Sequence, residues 1–173
     1  MTVFVRLMAF VIGIAIGVAA FSIPYLNRIT AVENRAEVKI NGQIFVADVV
    51  RDPKDQAQGL AGRDRLSASE GMLFLFSEEG RYGFWMKGMK IPIDIIWIRN
   101  NAIVGMNEYV FPEPDVPESK LTVYYPPEAV DSVLEVAAGR VQSLRAEVGD
   151  PVKMRPLIKF SGLFKDAYGS RSN

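Results

Sequence analysis

The spacing of apolar positions changes several times along the chain. Residues 7–23 carry no charge, with Arg6 before them and Pro24 and Arg28 after. A run of this length lies at the lower limit for a membrane-crossing helix and at the upper end for the core of an export signal. A short linker over 24–34 follows. Residues 36–40 and 44–50 are β-rich and flank Asn41-Gly42, a strong hairpin signal. Asp52-Pro53 reads as an N-cap followed by proline in the first turn of a short helix, which Gly59 and Gly62 end. Strands are predicted over 72–76, 82–86, 93–98 and 102–110, with turns at Glu79-Gly80 and Asn100-Asn101. The acidic, proline-containing stretch 111–120 reads as an exposed loop. Strands over 121–125, 130–136 and 152–155 and a helix opened by Gly139 complete the domain. Many short strands, two short helices and hairpin-like links predict an α+β, mostly β domain. The expected form is a small antiparallel barrel or strongly curved sheet.

These boundaries give four segments: 1–23 as membrane anchor or cleaved signal peptide, 24–34 as linker, 35–156 as the globular domain and 157–173 as a basic tail. Gly13 and Gly17 in the first would let two helices approach, and Val18-Ala19-Ala20 resembles a cleavage site. Arg6 and the amino terminus favour a cytoplasmic N-terminus, which places the domain extracytoplasmically. It is then anchored in the inner membrane facing the periplasm, or secreted if the segment is removed.

Composition narrows the chemistry. Hydrophobic residues make up 49 % and charged residues 23 %, as in ordinary globular proteins. Histidine and cysteine are both missing, which removes His/Cys zinc sites, thiol nucleophiles, Ser-His-Asp triads and disulfides. No metal or cofactor is expected. The formal net charge is zero, but residues 31–156 hold 15 basic against 19 acidic side chains. An acidic domain lacks the footprint that drives phosphate-backbone binding, so nucleic acid is not an expected partner.

The densest segment is Phe84-Trp85-Met86-Lys87-Gly88-Met89-Lys90-Ile91-Pro92-Ile93-Asp94, which continues to Ile98 through Trp97. Together with Gly59-Leu60-Ala61-Gly62-Arg63, Gly71-Met72-Leu73-Phe74, Leu134-Glu135-Val136 and Ala138-Gly139, it resembles the domain of unknown function 192 family over about residues 35–156. The resemblance implies a compact, mostly β domain, often behind a signal or anchor segment, and supplies no established activity. The family pattern after Met-Lys is Asn-Thr; here Gly88-Met89 stands in its place, so any hydrogen bonds those two side chains make in the family are lost in this chain.

Matching the family motifs carries over Arg63, Trp85, Lys87, Asp94 and Glu135 as candidate site residues, and Met86 joins them as a cleft-lining candidate. Asp94 interrupts an apolar strand on the face of Ile96 and Ile98, so it needs a partner. Arg63 or Lys87 would supply a structural ion pair. Core packing is the expected role of both tryptophans. Packing is likewise expected for Met72, Met86, Met89 and Met106, ahead of a soft-metal site. Strand alternation sets Glu135 opposite Leu134 and Val136, hence facing solvent. Three functions remain open. The favoured one is non-enzymatic: binding of a small anionic or sugar-like ligand, or a protein partner, in a cleft lined by Trp85, Met86, Lys87 and Arg63. The enzymatic one pairs Asp94 with Glu135 for acid/base work on an envelope glycan, and requires both carboxyls in one cleft. The third is an accessory role in envelope assembly, marked by a large exposed apolar patch outside the cleft.

Overall fold

The computed structural model describes residues 31–159, with side-chain environments from 34 to 157. The predicted membrane segment 7–23, much of the linker and most of the tail lie outside the described residues. Among the described residues, no helix is long and apolar enough to cross a membrane.

Nine strands and two short helices form the domain. In chain order they are β1 (Ala31–Ile40), β2 (Gln43–Val50), α1 (Pro53–Gln58), β3 (Glu70–Gly80), β4 (Phe84–Trp85), β5 (Ile93–Arg99), β6 (Ala102–Val110), β7 (Val123–Tyr124), β8 (Val130–Ala137), α2 (Arg140–Leu144) and β9 (Val152–Lys159). One seven-stranded sheet runs β6-β5-β8-β3-β2-β1-β9, while β4 and β7 pair as a separate ribbon.

Local chemistry accounts for the turns. Asn41 and Gly42 have φ of 47° and 87°, and Asn100 and Asn101 have 50° and 60°. Both pairs therefore occupy the left-handed conformations that a two-residue hairpin requires, joining Ile40 to Gln43 and Arg99 to Ala102. Asp52 caps α1 by accepting the Lys54 N–H at 2.8 Å, with Pro53 in the first turn.

The expected antiparallel barrel is corrected in two respects. First, the sheet is mixed, because β2 and β3 run parallel with Val46 opposite Glu70 and Val50 opposite Phe74. The link between them contains α1, and a helical crossover returns the chain in its original direction. Second, the sheet is not closed. Its edge strands meet where Ala102 bridges Pro151, and Val152 N–H donates to Asn101 at 2.8 Å. No ladder continues between β6 and β9 beyond that corner. β9 also runs past the predicted end at Arg155 and includes Pro156. It lies at the sheet edge, where proline is tolerated.

All seven strands of this sheet send side chains into one apolar cluster, which includes Val38, Phe45, Leu73, Ile96, Ile103, Leu134 and Val152, with Val141 of α2 among them. The sheet thus curls around a shared interior. A second cluster covers the outer face of the central strands and holds Leu60, Met72, Phe74, Met86, Trp97 and Val133. Strands β5 and β8 are consequently buried on both faces, and nearly every residue in them is inaccessible.

Candidate functional site

The central strands set the position of each candidate charge. Asp94 lies opposite Val136, and Glu135 lies opposite Ile95. Directly paired residues share a face, so the two carboxyls project from opposite faces of the sheet. The requirement that Asp94 and Glu135 face one cleft is not met, and the paired-carboxylate reading falls with it.

Asp94 is fully buried, and its partners are backbone groups, not Arg63 or Lys87. One oxygen accepts the Tyr109 N–H and the other the Val141 N–H, each at 2.8 Å. Gly139 precedes α2 without a side-chain cap, so Asp94 performs that task from a neighbouring strand. The same carboxyl holds Tyr109 at a φ of 51°, a left-handed kink in β6. Asp94 is an organising residue of the fold.

Glu135 differs from its expected exposure. It is 5 % accessible, because the outer face of β8 is covered by the second cluster. Its Oε2 is buried without a hydrogen-bond partner. Across the sheet it sits between Met72 of β3 and Ile95 of β5. Burial pushes its carboxyl up to about 8 from an ordinary 4.5, while the Arg63 cation pulls the other way.

Beside Glu135 opens a cleft of about 270 Å³, just under the roughly 300 Å³ at which typical small-ligand sites begin. Gln56, Gln58, Gly59 and Leu60, from α1 and the turn after it, line it together with an aromatic wall of Phe74, Phe76, Tyr82, Phe84 and Trp85, and with Lys87 and Met89. The rings are fixed by one another. Phe76 stacks on Tyr82 at 3.7 Å between centroids, and Phe84 meets Phe74 and Trp97 edge-on at 4.9 and 5.3 Å. The loop carrying Lys87 is tied to the α1 side by Gly62 N–H donating to the Gly88 carbonyl at 2.9 Å.

Of the six sequence candidates, Trp85, Lys87 and Glu135 line the cleft. Trp85 is 47 % exposed, so it is a wall residue and not the core residue expected, whereas Trp97 is buried and donates to Asn107 at 2.8 Å. Met86 lies in the second cluster behind the wall. Arg63 stands apart from the lining and pairs with Asp48 at 2.7 Å, where Arg35 also reaches Asp48 at 3.4 Å. Lys87 pairs with Glu118 at 2.6 Å. Met72 and Met89 share the second cluster with Met86, while Met106 packs against the other one. Among the described residues, no group of three or more acidic side chains is placed to hold a metal ion.

The alternation of Phe74 and Phe76 in one strand was the available signal for a wall on one face, but it pointed equally to core. The Gly88-Met89 departure also becomes intelligible. Gly88 has a φ of 67°, a conformation in which asparagine is the favoured alternative to glycine. The backbone turn therefore does not need the family residue. Met89 presents a thioether to the cleft where the family pattern has a hydroxyl.

Comparisons with known proteins agree with this architecture. A crystal structure of a protein of unknown function from Novosphingobium aromaticivorans is similar at 27 % identity and a TM-score of 0.61, over 69 % of this chain and 83 % of that one. A Sinorhizobium meliloti protein, provisionally described as a transcription regulator, is similar at 27 % identity and a TM-score of 0.60, over 69 % of this chain and 92 % of that one. No curated protein matches. The sequence profile of domain of unknown function 192, described as Uncharacterized ACR, matches residues 36–154, and the chain belongs to that family.

Proposed function

We propose that this domain is a small-molecule-binding module, exported or tethered at the extracytoplasmic face of the membrane by residues 7–23. The observation that carries the reading is Glu135, a buried carboxyl with an unpartnered oxygen, on the wall of an otherwise aromatic cleft. Buried polar atoms are satisfied in the great majority of cases, so an orphan beside an open cavity is best explained by a partner that arrives from outside. A strongly perturbed acid in a cleft favours a site over a purely structural role. The fixed ring wall supplies contact area at low entropic cost. Catalysis ranks below binding, because among the described residues no second acid lines the cleft and its one base, Lys87, is already paired with Glu118.

A protein partner is the second reading. Trp85 and Val123 are paired across the β4–β7 ribbon and exposed, with Tyr125 beside them. Such a group of exposed apolar side chains suits a docking surface. The regulator description of the S. meliloti relative is not extended to this chain, whose residues 31–156 are net acidic.

The test is thermal unfolding of the full chain in mild detergent, with cationic, neutral and anionic small molecules of matched shape. A ligand at a hundred times its Kd stabilises by about 2.7 kcal/mol. The reading requires such a gain for at least one class, lost in Trp85→Ala. No gain with any class would overturn it.

A further inference from the structure

We infer that the cleft beside Glu135 takes a small organic ammonium, a primary or secondary amine on an aryl or short apolar body. Its N–H group would donate to Glu135, and its body would lie against the ring wall. This rests on the binding reading above and names its ligand class.

The charges around the cleft differ in whether they already have partners. Among the described residues, Glu135 is the one acid lining the cleft, and its Oε2 finds no donor. Lys87 is the one base there, and Glu118 already holds it at 2.6 Å. Behind the site, Arg63 and Arg35 share Asp48. The same two cations lie near Glu70, whose carboxyl is held low first by hydrogen bonds from Ser67. The two arginines already serve Asp48 and Glu70, and Arg63 acts on Glu135 only through its charge. The remaining elements against it are uncharged: Met72 on β3, Ile95 on β5, and Gln56 and Gln58 from α1. Once Glu135 gives up its proton, this corner lacks one donor and one positive charge.

An ammonium supplies both. Ring faces carry negative potential and attract cations, and Phe74, Phe84 and Trp85 line the same cleft as the acid. A quaternary ammonium would bring the charge without the N–H, and so would leave Oε2 unpartnered. An anion would bring charge of the wrong sign against the rings and would keep the carboxyl from ionising. The cleft, at about 270 Å³, exceeds the roughly 150 Å³ that holds a benzene ring, which leaves room for a ring and a short aminoalkyl arm.

Free Glu135 is the neutral acid at neutral pH, because burial raises its affinity for the proton. The ammonium replaces that proton as the partner of the carboxylate, and the proton leaves to solvent. At pH 7 roughly nine-tenths of the sites begin protonated, so binding releases close to one proton per ligand.

The experiment is isothermal titration calorimetry on the full chain at pH 7, in two buffers of different ionisation enthalpy. The probes are phenethylamine, phenethyl alcohol, phenylacetate and phenethyltrimethylammonium. The inference expects phenethylamine to bind tightest and to release close to one proton, with no release for the alcohol. Glu135→Gln should weaken the amine by about 10- to 100-fold and abolish proton release, since hydrogen bonds to charged groups are worth that much. The proton count in the unsubstituted protein is informative even if the variant folds poorly. If the alcohol or phenylacetate binds as tightly as the amine, and Trp85→Ala abolishes that binding, the cleft is a binding site and the ammonium inference fails. If none of the four binds, both fail.

Discussion

Replacing Glu135 by glutamine should change the pH dependence of stability in a calculable way. A carboxyl raised to about 8 in the folded chain holds its proton more tightly there than in the unfolded chain, where 4.5 is ordinary. Below pH 4.5 both states are protonated, and the burial of Glu135 carries its full stability. As pH rises from 4.5 to 8, the unfolded chain ionises while the folded chain does not, so Glu135's contribution to stability falls by about 1.4 kcal/mol per pH unit. Above 8 both states are ionised, and the accumulated loss is about 5 kcal/mol. Glutamine has nearly the same shape and does not titrate. Urea denaturation of both proteins at a series of pH values gives the difference directly, with other titrating groups cancelling to first order. The variant should gain on the parent across the window between 4.5 and 8 and hold a constant lead above it. Curves that stay parallel through that window would refute the reasoning, since Glu135 would then titrate alike in both states.

Other perturbations separate fold from site. Asp94→Ala strips two backbone N–H groups, those of Tyr109 and Val141, of their acceptor; the expected loss is about 2–6 kcal/mol by denaturation, with Asp94→Asn losing less. Gly71→Ala should destabilise by about 1–3 kcal/mol, because its Cβ would stand 2.7 Å from the Glu135 carbonyl oxygen, a backbone atom that cannot turn away. Lys87→Ala removes an exposed pair with Glu118 and should change stability by less than about 1 kcal/mol on the same denaturation curves. Arg63→Ala removes the cation that pulls the Glu135 carboxyl down, so its titration midpoint, read by carbon NMR, should move upward.

The residues that revealed the fold most clearly are those whose effect is local. Asn41-Gly42 and Asp52-Pro53 act within a few residues of themselves, and both do what their chemistry dictates. The parallel pairing of β2 with β3 depends on where the chain returns after α1, which no local pattern encodes. Glu135 shows the same division. Alternation correctly set it opposite Leu134 and Val136, but whether that face meets water depends on residues far away, among them Leu60, Met72 and Trp97. Asp94 was legible as a charge in need of a partner. Its partners proved to be main-chain groups, and a backbone N–H leaves no mark in a sequence. Trp85 and Trp97 look alike in their surroundings, yet one lies in a two-stranded ribbon and the other in a central strand. Of the cleft, the sequence exposed Trp85, Lys87 and Glu135 but not the wall, because Phe74, Phe76 and Tyr82 resemble core residues until the sheet is assembled.

The central claim is that Glu135 is a buried acid held ready for a donor from outside. Carbon NMR of side-chain-labelled glutamate in the full chain measures this most directly, with the resonance assigned by its disappearance in Glu135→Gln. The account predicts a midpoint near 8 in the free protein, moved down by saturating phenethylamine. A midpoint at the ordinary 4.5, or one that phenethylamine leaves in place, would contradict it.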